Sequence, residues 1–397
     1  MTTTASNPLT EEKAASTAMT ADVLILLAPM PREPLEAVLK HIAAYFPYAQ
    51  CVVAASDPFA EDLSTGLRVV AAPATPASWS LTAADFVVAY QLAQKHQCRV
   101  ILLLGPEASS LAPEALRELT DAVLMRAVDL AIPHYDLPSR TGLVNSAILY
   151  PLTRSLFSAR VRFPLALDMA MSLRMAERMA IAGQRFTVLN QAESLLWPVN
   201  EASAAGFSIE EISVGPRTIP QPGELDLNAF LALVSGSLFT DLENKAAHWQ
   251  RARTLPPRRG AYISVVNAET PADIKPMIDG FRLAYTNLRE IWSLVLPPNS
   301  LVGLKRLSVT DAASFRMPDN LWARIVYDFL LAHRLRTINR GHLLGALVPL
   351  YLAWVASCIH STAESDGEAY IESVASAFET EKPYLVSRWR WPDRFNP

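Results

Sequence analysis

Short apolar runs alternate with helix-forming segments through the first 135 residues, and this alternation limits the fold more than any other feature of the sequence. Compact apolar runs indicate strands, and apolar residues at spacings of three and four indicate helices. The predicted strands are 22–28, 49–55, 67–71, 99–104 and 129–133, and the predicted helices between them are 34–46, 81–95 and 113–126. This order predicts an α/β fold with a mostly parallel sheet and helices on both faces.

The pattern changes after about Asp226, where apolar residues recur at helical spacing through most of the remaining chain. The segments that carry it are 227–249, 272–295, 319–338 and 342–359. Spacing of this kind predicts amphipathic helices and therefore a helical C-terminal region. The sequence thus predicts three parts: a disordered leader (1–21), an α/β domain (22–226) and a helical domain (227–397).

The composition of the chain limits the cellular compartment and the binding partners that can be expected for the protein. The leader lacks the basic start and apolar centre of a signal peptide. The apolar stretch 343–359 is shorter than the roughly 20 residues that span a bilayer and contains Pro349, so a buried helix is predicted and no integral membrane segment. A net charge of −4 argues against a nucleic-acid partner. Three widely spaced cysteines, Cys51, Cys98 and Cys358, indicate a reducing cytoplasm.

The chain carries no standard catalytic motif. It lacks a phosphate-cradling glycine loop and the Gly-x-Gly-x-x-Gly turn of dinucleotide-binding oxidoreductases. It also lacks the Gly-x-Ser-x-Gly elbow of serine hydrolases and the His-x-x-x-His pair that places two metal ligands on one helical face. These patterns argue against those enzyme classes.

Polar and charged side chains concentrate in the segment 133–172, just past a predicted strand end. It contains Arg140, Asn145, Tyr150, Arg154, Arg160, Arg162 and Asp168. Guanidinium groups suit bidentate binding of phosphate or carboxylate, so the segment predicts an anionic ligand. The alternative is that Arg154 and Arg160 pair with acidic residues of the protein itself.

The apolar run 100–104 predicts a buried strand, and Gly105, Pro106 and Glu107 follow it. In a mostly parallel sheet, ligands bind at the carboxyl ends of the strands. Glu107 is the one acidic residue of this turn, and Mg²⁺ is ordinarily held by one or two carboxylates together with substrate phosphate. The turn therefore predicts a ligand-binding edge without a metal site of its own.

The sequence GLVNSAILYPLTRSLFSARVRFPLALDMAMS, residues 142–172, resembles a segment of the retaining GT-A-fold glycosyltransferases related to mannosylglycerate synthase and glucosyl-3-phosphoglycerate synthase. That family's segment runs roughly G-T-I-T-N-x-I-x-Y-P-L-T-R-A-L-Y-G-x-R-V-R-Q-P-I-G-G-D-F-G-x-S. The matches include Gly142, Asn145, the run 150–154 and Asp168. SSLAPEAL, AAGFSIEEISVGPR and INRGHLLGALVPLYLAWVAS resemble further family segments, so the likeness covers most of the chain.

The resemblance implies a GT-A nucleotide-sugar-binding domain over 22–226 and transfer of a hexose from a nucleotide sugar to a small anionic acceptor such as glycerate or phosphoglycerate. It also implies a homodimer and, in the family, Mg²⁺ or Mn²⁺. Asp168 stands where the family has the acid of its G-G-D segment, which makes it the predicted catalytic residue. The donor or anion-binding residues expected are Glu107, Arg140, Asn145, Tyr150, Arg154, Arg160 and Arg162.

Departures from the family pattern fall mainly in the donor half. Gly105-Pro106-Glu107 replaces the Asp-x-Asp metal motif, and Ile219 lies nearest to the third metal ligand, a histidine. The sugar-nucleotide loop has become PMPREPL, and the K-G-N-A turn has become LTAADF. Ala166 and Leu167 replace the two glycines before Asp168, which narrows the pocket expected there.

The departures predict that the metal ligands are not retained and leave two hypotheses open. In the first, arginines such as Arg140, Arg154 and Arg160 supply the positive charge of the missing metal in a working transferase. In the second, the chain is a catalytically degenerate GT-A homologue that acts as a scaffold or regulatory binding protein.

Overall fold

Strands and helices alternate through the first half of the chain, and helices alone form the second half. The computed structural model describes residues 21–47, 49–56, 66–138, 140–165, 167–223, 225–253, 272–363 and 366–392. The strands are β1 (Val23–Leu27), β2 (Cys51–Ala55), β3 (Val69–Ala71), β4 (Val100–Leu104), β5 (Leu130–Tyr135), β6 (Asp168–Ser172) and β7 (Ile209–Gly215). Residues 1–20 of the predicted leader lie outside the described residues, whereas Ala21 is buried.

The helices follow the same chain order. In the first half they are α1 (Arg32–Tyr45), α2 (Ala83–His96), α3 (Pro113–Leu124), α4 (Tyr150–Phe157), α5 (Leu173–Val188) and α6 (Pro198–Ala205). In the second half they are α7 (Leu227–Asn244), α8 (Ala246–Trp249), α9 (Lys275–Asn287), α10 (Arg289–Val295), α11 (Pro298–Ser308), α12 (Asp319–Leu335), α13 (Arg340–Thr362) and α14 (Gly367–Arg390). The limits predicted from the sequence differ from these by a few residues, as expected where helix ends fray.

The strands form one sheet in the order β3-β2-β1-β4-β6-β5-β7. Neighbouring strands are parallel except β6, which is antiparallel to both β4 and β5. Because β6 runs against its neighbours, its first residue, Asp168, pairs with Leu104 at the end of β4. The start of β6 therefore lies at the carboxyl edge of the parallel strands, where ligands bind in sheets of this kind.

Successive side chains of the central strands enter two different apolar layers. Val23, Ile25 and Leu27 pack in the layer that contains α1 and α3, whereas Leu24 and Leu26 pack in the layer that contains α2 and α5. Every residue of β1, β2 and β4 is buried, as expected for parallel strands covered on both faces. The predicted α/β fold class with a helical C-terminal region is confirmed, and it is consistent with the GT-A fold that the resemblance implies.

The C-terminal helices extend the apolar layer on one face of the sheet. One continuous cluster of buried residues reaches from Leu24 in β1 to Trp389 in α14. Asp226 caps α7 by accepting a hydrogen bond from the backbone N–H of Ala229 at 2.7 Å, so the first of these helices begins where the sequence pattern changes. A shared core joins the two parts of the chain. The division into domains 22–226 and 227–397 stays a prediction.

Helix α13 contains the apolar stretch 343–359. It is the one helix in the described ranges that is long and apolar enough to cross a membrane, and 78% of its most apolar window is buried inside the protein. The indole N–H of Trp292 donates to the backbone carbonyl of Ala346 at 2.9 Å, which ties α10 to the second turn of α13. The helix is thus packed among the other C-terminal helices, as the sequence predicted.

Candidate functional site

An ion pair between Asp168 and Arg217 fills the carboxyl edge of the sheet between β4 and β6. Asp168 begins β6, and Arg217 lies two residues beyond the end of β7. Nε of Arg217 donates to Oδ2 of Asp168 at 2.9 Å, and Nη2 donates to Oδ1 at 3.2 Å. Both side chains are 0% exposed. The pair is therefore bidentate and enclosed, at the position where a ligand of such a sheet would bind.

The remaining donors of Arg217 are also used inside the protein. Nη2 donates to the backbone carbonyl of Pro106 at 2.6 Å. Nη1 donates to the carbonyl of Glu107, to Oγ of Ser110 at 3.0 Å and to the carbonyl of Thr218 at 3.0 Å. Every nitrogen of the guanidinium group thus has a protein acceptor. Because the group has five N–H donors, these contacts leave it no spare donor for a phosphate.

The carboxylate of Asp168 is equally saturated. The backbone N–H of Gly105 donates to Oδ1 at 3.0 Å, and the hydroxyl of Tyr135 donates to Oδ2 at 3.0 Å. Burial and the negative charge of Asp168 raise the pKa of Tyr135 well above its ordinary value, so this hydroxyl keeps its proton. Burial alone would lower the pKa of Arg217, but Asp168 raises it above the ordinary value. The two charges therefore compensate one another.

The turn after β4 is shaped around the guanidinium group. Glu107 has a φ of 63° and a ψ of 16°, a left-handed conformation that is uncommon outside glycine. In this conformation the carbonyls of Pro106 and Glu107 both accept hydrogen bonds from Arg217. A Cβ atom on Gly105 would lie 2.5 Å from the carbonyl oxygen of Leu167, so only glycine fits this crossing of two backbones.

These residues do not fit a divalent cation. Mg²⁺ needs negatively charged or neutral oxygen ligands in near-octahedral order. Here both oxygens of Asp168 bind a guanidinium group, and that positive charge would repel a metal ion. Ile219, nearest to the histidine position of the family, has a hydrocarbon side chain that lines an apolar pocket. Glu107 is exposed, and its negative charge acts on the guanidinium group of Arg217.

An apolar pocket of about 340 Å³ adjoins the ion pair. Its wall includes Tyr135, Leu167 and Ile219. Each of these residues lies next to the ion pair, either in sequence or by contact. Its lining is rich in aromatic and aliphatic side chains, including Trp79, Leu137, Leu143, Phe163, Leu165, Phe230, Val234 and Tyr351, and its polar members are Thr141, Asn145 and Gln221. No charged side chain lines it within the described residues. A pocket of this chemistry favours an uncharged group with few hydrogen-bonding atoms.

The predicted anion-binding residues of α4 lie elsewhere, at the contact with α14. Arg154 donates from Nε and Nη2 to Glu379 at 3.1 Å each, and from Nη1 to Glu372 at 2.6 Å. Tyr150 donates to Glu372 at 2.5 Å, and Arg162 donates to Glu368 from Nε at 3.3 Å and from Nη2 at 3.4 Å. Burial and then Glu372 raise the pKa of Tyr150. These contacts use the groups that the sequence analysis assigned to an anion.

The other predicted residues are scattered. Asn145 lines the apolar pocket and donates to the carbonyl of Arg162 at 2.8 Å. Nη2 of Arg140 lies 3.5 Å from the carbonyl oxygen of Ile359 in α13, and Arg160 lines a separate cavity of about 550 Å³. Glu107 and Asp168 alone meet at the strand end. The predicted residues therefore lie at several separate places in the structure, and their part in anion binding stays a prediction.

Two residues of the strand-end site were not among the predicted site residues, although the sequence places Tyr135 just past the predicted strand 129–133, at the edge where ligands bind. Arg217 ends the segment AAGFSIEEISVGPR, where the resembling family has a lysine, and Tyr135 ends β5. A usable signal existed for both: β5 and β7 are parallel, so the residues that follow them lie at one edge of the sheet. What the sequence could not indicate was that the basic residue would bind Asp168 rather than a ligand.

The comparisons with known proteins find distant structural likeness. No protein-family model matches the chain, and no curated protein matches it significantly. The crystal structure of glucosyl-3-phosphoglycerate synthase from Mycobacterium tuberculosis with Mn²⁺, UDP-glucose and phosphoglyceric acid is 16% identical, over 57% of this chain and 80% of that chain, with a TM-score of 0.37. The same enzyme with Mg²⁺ and UDP gives the same values. Values this low assign no activity to the present chain.

Proposed function

We propose that this chain is a glycosyltransferase-like protein that has lost metal-dependent transfer from a nucleotide sugar and acts as a non-catalytic binding or scaffold protein. The enclosed pair of Asp168 and Arg217 carries the proposal. The family resemblance places Asp168 nearest the reacting sugar, but this carboxylate is not available to a substrate, because both of its oxygens bind protein donors.

The departing diphosphate would also lack a positive partner. Transfer from a nucleotide sugar requires a cation or an array of donors that stabilises charge on the leaving group. The guanidinium group of Arg217 is at the right edge of the sheet, but its donors bind Asp168, the turn after β4 and Thr218. Arg154 and Arg162 bind the glutamates of α14. Nη1 of Arg162 has no hydrogen-bond partner among the described residues but is buried, and the other nitrogens of these three arginines bind protein acceptors.

A titration of nucleotide sugars tests this proposal. Thermal melting is measured with UDP-glucose and GDP-mannose, each with and without Mn²⁺ or Mg²⁺, and products are sought by mass spectrometry after adding glycerate or 3-phosphoglycerate. We expect no metal-dependent rise in melting temperature and no glycosylated product. A competent site with ligand at a hundredfold excess over Kd would add about 2.7 kcal/mol of stability.

The synthase from Mycobacterium tuberculosis, whose structures contain Mn²⁺, UDP-glucose and phosphoglyceric acid, is the positive control in the same assay. A metal-dependent melting shift of the present protein, or a hexosylated acceptor at a rate above the no-enzyme control, would contradict the proposal.

Metal-independent transfer of a hexose to a small anionic acceptor is the second candidate. This candidate rests on the position of the pocket of about 340 Å³ beside Asp168, where Thr141, Asn145 and Gln221 supply the polar part of an otherwise apolar lining. In that case Arg217 must release Asp168 when substrate enters. Product formed without metal would support this candidate.

The cellular setting remains part of the proposal. The three cysteines are buried and form no disulfide, as expected for a protein of the reducing cytoplasm. Assembly into a homodimer is proposed from the resemblance, and light scattering coupled to gel filtration would measure it directly.

A further inference from the structure

A second cavity borders α7 and is separate from the apolar pocket. Leu227, Phe230 and Val234 of α7 line the apolar pocket, whereas Leu233, Ser237 and Asp241, among others, line the second cavity of about 750 Å³. The walls of this second cavity, termed here the α5–α7 cavity, come from the end of α5, the segment 189–197, α6, α7 and Arg340. It shares no lining residue with the strand-end pocket.

The two carboxylates of the α5–α7 cavity are already neutralised. Glu201 binds Nε of Arg178 at 2.6 Å and Nζ of Lys245 at 2.9 Å. Asp241 binds the same Lys245 and accepts a hydrogen bond from the amide of Asn200 at 2.9 Å. Because both carboxylates are paired, they repel a negatively charged ligand less than two unpaired carboxylates would.

Positive charge remains available in this cavity. Arg185, in the last turn of α5, is exposed and has no ion-pair partner among the residues that the structure describes. Arg340 binds Glu243 at 3.0 Å through Nη2, yet its side chain is still 37% exposed. Lys245 is paired with the two carboxylates, so Arg185 and the partly exposed Arg340 are the cationic side chains of the lining that attract an anion. An anion is therefore attracted to the mouth of the cavity.

The lining also contains apolar side chains beside the polar Gln191, Ser194, Ser237, Thr240 and Asn244. Phe186, Leu189, Leu196 and Leu233 contribute hydrocarbon surface, and Leu189 and Leu233 are 67% and 41% exposed. The indole N–H of Trp197 donates to Oγ of Ser237 at 3.0 Å, which fixes the ring at the wall. Exposed apolar side chains next to unpaired positive charge are typical of sites that bind molecules with a polar head and an apolar body.

We propose that the α5–α7 cavity binds an organic anion with an apolar body, that is, a carboxylate or phosphate ester attached to a hydrocarbon or aromatic group. The head group binds Arg185 and Arg340, and the body lies on Phe186, Leu196 and Leu233. The two cavities that α7 borders thereby differ in chemistry, because the strand-end pocket lacks a charged lining. This site is independent of whether the strand end retains any transfer activity.

Calorimetric titration of the full chain with octyl phosphate, octanoate and uncharged octyl glucoside, each below its micelle concentration, tests the proposal. We expect the two anions to bind with an affinity at least fivefold above that of the uncharged ligand. Arg185→Gln should weaken octyl phosphate binding about fivefold, because a charge-assisted hydrogen bond is lost at a partly exposed site. Ala182→Phe, which fills the cavity, should abolish binding.

Arg306→Gln is the matched control, because Arg306 is an exposed arginine in the last turn of another helix, α11. It should leave the affinity unchanged. Equal affinity for octyl glucoside and octyl phosphate, absence of binding by both anions, or an Arg185→Gln variant that binds like Arg306→Gln would overturn the proposal. Arg185 is exposed, so the substitution tests binding without disturbing the fold.

Discussion

Arg217 at the strand end and Arg154 at the contact between α4 and α14 both form ion pairs, but the two pairs have different structural roles. At the strand end, Arg217 is enclosed with one aspartate and several backbone carbonyls, and both partners are 0% exposed. At α4, Arg154 is 5% exposed, but its partners Glu372 and Glu379 are 27% and 11% exposed. The first pair closes a ligand-binding edge, whereas the second fastens the last helix to the core. The two ion pairs differ in how far the carboxylate is exposed to water.

Loss of the strand-end arginine should have the largest effect on stability. Arg217→Ala leaves Asp168 charged in a buried site, and removal of one partner of a buried pair costs about 3–5 kcal/mol of unfolding free energy. Urea denaturation of the variant measures this loss. Arg306→Ala, an exposed arginine without such a pair, should stay within about 0.5 kcal/mol of the unsubstituted protein.

The double variant Arg217→Gln/Asp168→Asn sharpens the comparison, because it replaces both charges with neutral amides. Its cost should be clearly smaller than the sum of the two single changes, which measures the coupling between the residues. Additive losses, or an Arg217→Ala variant as stable as the unsubstituted protein, would show that the pair does not hold the strand end closed.

The sequence predicted the fold better than the site for a physical reason. Alternating apolar runs are a local signal, so β1, β4 and the helices between them could be located from neighbouring residues alone. Asp168 and Arg217 are 49 residues apart and meet only because β6 inserts in the opposite direction between β4 and β5. No local pattern encodes that insertion.

The α4 arginines illustrate the same limit over a longer separation. Residue type predicted an anion for Arg154, and an anion is bound, but it is the side chain of Glu379, 225 residues away in the sequence. The alternative considered for Arg154, an ion pair within the protein, describes its contacts. Choosing between a ligand and a glutamate required knowing that α14 packs against α4.

Removal of the α4 arginine should cost less than removal of Arg217. Arg154→Ala is expected to lower the unfolding free energy by about 2–3 kcal/mol, because Glu372 and Glu379 can turn toward water once the arginine is gone. Hydrogen exchange of the amides of α14 should accelerate in the same variant without any ligand present. Arg154→Lys should recover only part of the loss, since lysine cannot bind a carboxylate through two parallel bonds.

Unchanged protection of α14 in Arg154→Ala would favour the ligand-binding role that the sequence analysis assigned to Arg154. The matched comparison is Arg117→Ala in α3, whose pair with Asp121 is well exposed at 61% and 33%. Such surface pairs contribute about 0–1 kcal/mol, so this variant sets the baseline.

A third arginine–carboxylate pair, at the start of β5, extends the comparison to an exposed arginine. Asp129 is 3% exposed and Arg174 is 66% exposed. Burial alone would raise the pKa of Asp129, but hydrogen bonds from Arg174, Ser208 and Ser172 lower it to about 2. A carboxyl group whose pKa is lower in the folded state stabilises the fold above its ordinary pKa, and that contribution is lost as pH falls toward 2.

Asp129→Asn should therefore cost about 2 kcal/mol at pH 6, and the difference from the unsubstituted protein should shrink between pH 4 and pH 2. Denaturation midpoints measured at intervals of half a pH unit give this curve. Asp121→Asn, at an exposed pair, should show no such convergence. If the difference in stability for Asp129→Asn stays constant with pH, the side chain acts through its shape and hydrogen bonds, and its charge contributes nothing. The exposure of the carboxylate to water would then not explain the order of the stability losses expected for the three pairs.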